Sequence, residues 1–241
     1  MRKIIKSLII PIAVGIFEFV WLYFIFSYQL HQNLFNSTGL ITLSNLGIRF
    51  IFDYLAKLIL PVIIILLNRK HLNSFNLRLN NKYELLFLSA IMILLFILHS
   101  DYTITGIYRF FYYLITIAFV EEFIYRGFIY NRMKDYSIRL AIVISSVIFA
   151  VTHAVAPAIA SNADIKQLII LMISNIFSTK LLIAWYLIYL QEKSKTLWIP
   201  ILVHAIIDYS GGIIGVIIVL LTWVYYLIKS KWERDHSLLS T

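Results

Sequence analysis

The chain has 241 residues, 61% of them apolar and 14% charged, with a mean hydropathy of +0.86 and a net charge of +9. A soluble domain is about 45–50% apolar and about 25% charged, so the composition excludes an ordinary soluble protein and points to a polytopic membrane protein. Cysteine is absent, which removes disulfides and thiolate metal sites. The positive charge lies in short loops between apolar runs, where it reads as a topology signal facing anionic lipid and not as a nucleic-acid surface.

Arg2, Lys3 and Lys6 precede an apolar run from Leu8 to Tyr28. This run is too long for a signal peptide, contains Glu18 and ends without a small-residue cleavage site, so it is read as the first span. Residues 29–47 carry no lysine or arginine. The second span covers 48–67 and holds Arg49, Asp53 and Lys57 at four-residue spacing, a ladder expected to pair along one helix face; Pro61 is a candidate kink. After a basic loop the third span runs over 83–98. The fourth, 107–130, carries Glu121, Glu122 and Arg126 towards its far end. The fifth, 138–160, includes Phe149 and His153. Residues 165–175 read as an outer interfacial or re-entrant piece before a sixth span at 176–191, which places Lys180 near the outer end. Trp198 and Pro200 open a seventh span with His204 and Asp208. Gly211, Gly212 and Gly215 turn the chain into an eighth at 213–228.

The expected fold class is therefore all-α, an integral membrane protein of about eight transmembrane helices with both termini cytoplasmic. The basic clusters at Arg2–Lys6, Arg69–Lys82, Arg126–Arg139, Lys193–Lys195 and Lys229–Arg234 alternate with loops holding only Arg109 and Lys166, as the positive-inside rule requires. On this layout Lys134 and Lys195 face the cytoplasm, and Asn36 and Asp164 the opposite side.

An isolated charge at the centre of a membrane helix costs about 2.5–3.5 kcal/mol on insertion scales, so the charges of the fourth span need compensation. Glu122 and Arg126 are four apart and share a helix face, so they are expected to pair for structural reasons. Glu121 points about 100° away and is left for chemistry. Phe149 with His153, and His204 with Asp208, repeat the four-residue spacing. Counted from the cytoplasmic ends of their helices, Glu121, His153, His204 and Asp208 lie roughly 10–22 Å deep at 1.5 Å per residue, so they can converge in one cavity. Such a set supports water activation: Glu121 as general base, His153 holding the water or shuttling its proton, and His204 with Asp208 at a developing oxyanion. Two histidines and a glutamate can also ligate zinc, with Glu121, His153 and His204 as the ligands, but the helical His-Glu-x-x-His signature is absent.

Glu121-Glu122-x-x-x-Arg126-Gly127, Phe149-x-x-x-His153 and His204-x-x-x-Asp208 resemble, in order, the three motifs of the CPBP intramembrane proteases, a family of CAAX prenyl endopeptidases and bacteriocin-processing or self-immunity proteins also called Abi. The resemblance covers about residues 107–215. It implies three parts: N-terminal helices over 1–106, a catalytic bundle over 107–228 and a cytoplasmic tail over 229–241. It also implies an endopeptidase of the bacterial plasma membrane that cleaves a membrane-associated peptide or protein near the cytoplasmic leaflet, with no cofactor expected and zinc the alternative. Glu121 would be the base, His153 would lie beside the water, and His204 and Asp208 would hold the oxyanion, with Glu122, Arg126 and Phe149 in support. Asp208 departs from the pattern, because many members carry asparagine there and a carboxylate cannot donate to an oxyanion unless protonated. Two rival readings use the same residues: a non-catalytic immunity or scaffold protein, and a small proton-coupled transporter, whose usual repeated halves have no counterpart here.

Overall fold

The computed structural model describes residues 5–34 and 40–239, and among these every regular element is helical. Arg2, Lys3, Asn36 and the last two residues of the tail lie outside the described residues. The helices are α1 (Ser7–His31), α2 (Leu43–Leu67), α3 (Lys82–His99), α4 (104–134), α5 (Ile138–Thr152), α6 (Val155–Ala160), α7 (Ile165–Ile176), α8 (Thr179–Ser194), α9 (Trp198–Ser210) and α10 (Gly212–Leu239). The protein is an all-α polytopic membrane protein.

By length and apolarity, α1, α2, α3, the run Ile138–Ala160 formed by α5 with α6, and Gly212–Glu233 within α10 qualify as membrane spans among the described residues. Helices α7 and α8 qualify together as a pair bent by 48°, and the bend falls at Phe177 and Ser178, where the Ser178 side chain accepts from the Lys180 amide and starts α8. Outside this set stand α4, with its charged residues, and α9, with 13 residues. Helix α9 and the second half of α4 are interior. Every residue of Phe123–Tyr130 in α4 is buried, and in α9 the buried positions include Ile199, Pro200, Ile201, Val203, His204, Ala205 and Ile206. By contrast no residue of α7 is buried. A helix enclosed by other helices can carry ionisable groups that a lipid-facing one cannot.

Local chemistry sets the joints. Ser137 caps α5 through the Leu140 amide, and Asp164 with Gln167 forms a capping box on α7. Gly211 and Gly212 both adopt positive φ, +61° and +51°, a conformation that a side chain would strain, and this reverses the chain from α9 into α10. Gly127 brings α4 against Leu197, whose Cδ2 would stand 3.0 Å from any added Cβ. The loop between α2 and α3 clamps the α8–α9 turn: the Leu197 amide donates to the Asn76 carbonyl at 2.7 Å, and the Trp198 indole donates to the Leu77 carbonyl at 2.9 Å. Helix α10 runs on through position 229 to Leu239, a stretch with neither glycine nor proline beyond 229.

The polar ladder of α2 is satisfied differently from the sequence expectation. Asp53 accepts from the Gln29 amide of α1 and from the Tyr108 hydroxyl of α4, each at 2.7 Å. Lys57 donates to the Tyr112 hydroxyl at 2.9 Å and lies 5.0 Å from the Phe26 and Tyr112 ring centroids. Tyrosines on a neighbouring helix reach these groups with shorter, better-directed bonds than charges stacked along one helix can make.

Candidate active site

Helix α4 brings the carboxylates. Its turns widen to i→i+5 bonding over Tyr112–Phe119 and Phe123–Tyr130, flanking Val120–Glu122, the kind of local distortion that recurs at functional sites. Glu122 and Arg126 are fully buried, and the Glu122 Oε1 stands 3.1 Å from the Arg126 Nη1. The guanidinium also stacks over Phe149 of α5, 4.2 Å from the ring centroid, a contact that gains strength when desolvated. The same Glu122 oxygen is 2.8 Å from Nδ1 of His204 on α9. One carboxylate thus ties together α4, α5 and α9.

Glu121 turns to the other side. Its Oε2 is 3.9 Å from Nε2 of His153 and 3.9 Å from Nε2 of His204. That oxygen is buried and has no hydrogen-bond partner among the described residues, whereas buried acceptors are normally satisfied. His153 follows directly on α5, and its Nδ1 is held at 2.8 Å from the Phe149 carbonyl, which leaves Nε2 facing Glu121. His204 Nε2 also lies 3.4 Å from Asp208 Oδ2, one turn along α9. Both nitrogens of His204 therefore face carboxylates, an arrangement satisfied when each carries a proton. Behind the site, the Ser145 hydroxyl donates to the Tyr125 carbonyl at 2.7 Å and the Tyr125 hydroxyl to Thr152 at 2.8 Å, locking α4 to α5.

These groups open onto a cavity of 480 Å³. Glu121, His153 and Asp208 line it on one side, and Glu18, Gln29, Arg49, Asp53 and Lys57 from α1 and α2 on the other, with Lys180 at the start of α8. The structure thus brings together the predicted Glu121, His153, His204 and Asp208, with Glu122, Arg126 and Phe149 packed beneath them. Sequence reasoning missed the second wall. Glu18 is 3% exposed, with an Oε2 that has no hydrogen-bond partner among the described residues. An ionisable residue inside an apolar span was the signal for it. Lys180 carried the same signal. No group of three or more His, Cys, Asp or Glu side chains able to hold a metal ion occurs among the described residues.

A bundle of membrane helices around a polar cavity, with carboxylates facing imidazoles across helices, has the build of an intramembrane hydrolase. Residues 103–210 match the model of the family described as Type II CAAX prenyl endopeptidase Rce1-like, so this segment of the chain is similar to the CPBP group of intramembrane endopeptidases. The match ends short of α1, α2, α3 and α10. No curated protein and no solved structure matches the chain.

Proposed function

We propose that this protein hydrolyses a peptide bond of a membrane-associated peptide or protein near the cytoplasmic leaflet, with Glu121 activating the water. The observation that carries this reading is the buried, unpartnered Oε2 of Glu121, 3.9 Å from each of two imidazoles in an open cavity. A water held between Glu121 and His153 loses a proton to Glu121 as its oxygen bonds to the scissile carbonyl carbon. The carbonyl electron pair moves onto oxygen. Collapse of that intermediate expels the amine, which takes the proton from Glu121, and leaves a carboxylic acid that ionises by releasing its own proton to solvent. Glu122 and Asp208 hold the ring of His204 in place, while Arg126 and Phe149 fix Glu122. The setting is bacteriocin or signal-peptide maturation, or self-immunity, in a bacterial plasma membrane.

The topology belongs to the same proposal: α4 and α9 also cross, giving about eight crossings with both termini cytoplasmic. Reporter fusions after Lys134 and Lys195 then read cytoplasm and a fusion at Asp164 the opposite side; a cytoplasmic signal at Asp164 breaks the layout.

The chemical test is Glu121→Gln in purified protein, assayed on a pooled library of internally quenched peptides in mixed micelles. Turnover falls by at least ~10³-fold, within the range for loss of a general base, with peptide binding retained; a variant that cleaves normally refutes the assignment. Exhaustive chelation leaves wild-type cleavage intact. Activity lost with stoichiometric zinc and regained on adding it back overturns the metal-free route and moves Glu121, His153 and His204 into a coordination shell.

A further inference from the structure

Peptide hydrolysis creates a negative oxygen, and the groups around Glu121 are poorly supplied to meet it. Glu121, Glu122 and Asp208 are carboxylates and act as acceptors when ionised. Arg126 is fully buried between Glu122 and the Phe149 ring, out of reach of a substrate. His204 turns one nitrogen to Glu122 at 2.8 Å and the other towards Asp208 at 3.4 Å. His153 Nδ1 faces the Phe149 carbonyl at 2.8 Å, and its Nε2 faces Glu121, where the water is needed.

Of the three cations that line the same cavity, Arg49 and Lys57 come from α2, where the Lys57 ammonium donates to the Tyr112 hydroxyl, and Lys180 comes from α8. Lys180 borders the cavity together with Glu121, His153 and Asp208, and it forms no ion pair among the described residues. Its position is costly by local rules. Lys180 is in the first turn of α8, where the helix field disfavours a positive charge by about 0.3–1 kcal/mol. The antiparallel α8–α9 pair explains how it reaches the site. At 1.5 Å per residue Lys180 lies ~21 Å along α8 from the connecting turn and Asp208 ~15 Å along α9, a difference that a four-carbon stem can span.

We infer that Lys180 is a further catalytic residue, its ammonium donating to the oxyanion that develops on the scissile carbonyl while Asp208 keeps that ammonium in the cavity. This rests on the proposed peptidase reading. No bond to nitrogen forms or breaks: the ammonium supplies a charge-assisted hydrogen bond that strengthens as the carbonyl oxygen becomes negative.

The test compares wild type, Lys180→Met, Lys180→Arg, Asp208→Asn and the Lys180→Met/Asp208→Asn pair on the quenched-peptide library in mixed micelles, with thermal unfolding followed for each. Loss of one oxyanion donor costs about 10²–10³-fold in kcat, so Lys180→Met falls by that factor with KM little changed, and its affinity for a phosphinic peptide falls in step. Lys180→Arg, which keeps the charge and the fold of α8, retains activity within about tenfold of wild type on the same scale. In the double variant the new amide can donate, and kcat recovers above that of Lys180→Met. An unchanged kcat in Lys180→Met overturns the inference while wild-type cleavage upholds the peptidase. A rise in KM confined to peptides with a free C-terminal carboxylate, absent for amidated ones, overturns it too, by making Lys180 a substrate anchor. A folded wild-type protein that cleaves nothing removes the peptidase reading and this inference with it.

Discussion

The two walls of the cavity stabilise buried charge by different means. On the wall formed by α4, α5 and α9 the charges close on one another: Arg126 meets Glu122 at 3.1 Å, and Glu122 meets His204 at 2.8 Å. On the wall formed by α1 and α2, Asp53 and Lys57 are held by neutral groups, a glutamine amide and two tyrosine hydroxyls, all at 2.7–2.9 Å. The first wall is a compact cluster in which each member depends on the rest; the second is a set of separable bonds between helices. The family match covers residues 103–210, which hold the whole first wall and none of α1 or α2. The cluster thus lies within the matched segment, whereas α1 and α2 lie outside it.

The comparison is tested most severely at Arg126. Replacing it with methionine strands Glu122 in the interior, and breaking a buried pair from one side costs about 3–5 kcal/mol. Arg126→Met therefore unfolds at much lower temperature or denaturant than wild type, whereas Arg126→Met with Glu122→Gln, which removes both charges, recovers a large part of the loss. Equal damage from the single and double variants would show that the cluster does not behave as a unit.

A milder effect is expected on the second wall. Because the partners of Asp53 and Lys57 lie on other helices, exchanging the two residues does not restore their contacts, and the exchanged pair is no more stable than either single change. Each lost bond to a charged group is worth about 1.5–3 kcal/mol, read as a shift of the unfolding midpoint. Recovery in the exchanged protein would instead support the ladder along α2 that the spacing alone implies.

The difference between the walls also explains what could be read from residues alone. The pairs Glu122 with Arg126, Phe149 with His153 and His204 with Asp208 are local, because a helix places residues four apart on one face, and the apolar runs delimit most of the helices. The bond from His204 to Glu122 spans 82 residues, and nothing in either helix specifies its partner on the other. For the same reason Asp53 and Lys57 were expected to pair within α2: their true partners, Gln29, Tyr108 and Tyr112, are ordinary residues of other helices. Glu18 and Lys180 stood out as charges in apolar surroundings, but the cavity they share appears only once α1, α4, α8 and α9 are packed.

The enclosure of α4 has a consequence for how the protein is made. Beyond the Glu122–Arg126 pair, the contacts that compensate its charges come from partners synthesised later: Phe149, His153 and His204 all follow it in the chain. A nascent chain ending at residue 134 would hold Glu121, Glu122 and Arg126 in lipid with only the Glu122–Arg126 pair to offset them, at about 2.5–3.5 kcal/mol for each uncompensated charge. Such a chain is expected to leave α4 outside the bilayer core, accessible to a water-soluble thiol reagent at a cysteine placed at Ile124. Extension through residue 210 should protect that cysteine. On that outcome the helix that carries the candidate site would enter the membrane as cargo of its neighbours, and the site could not form before the fold around it.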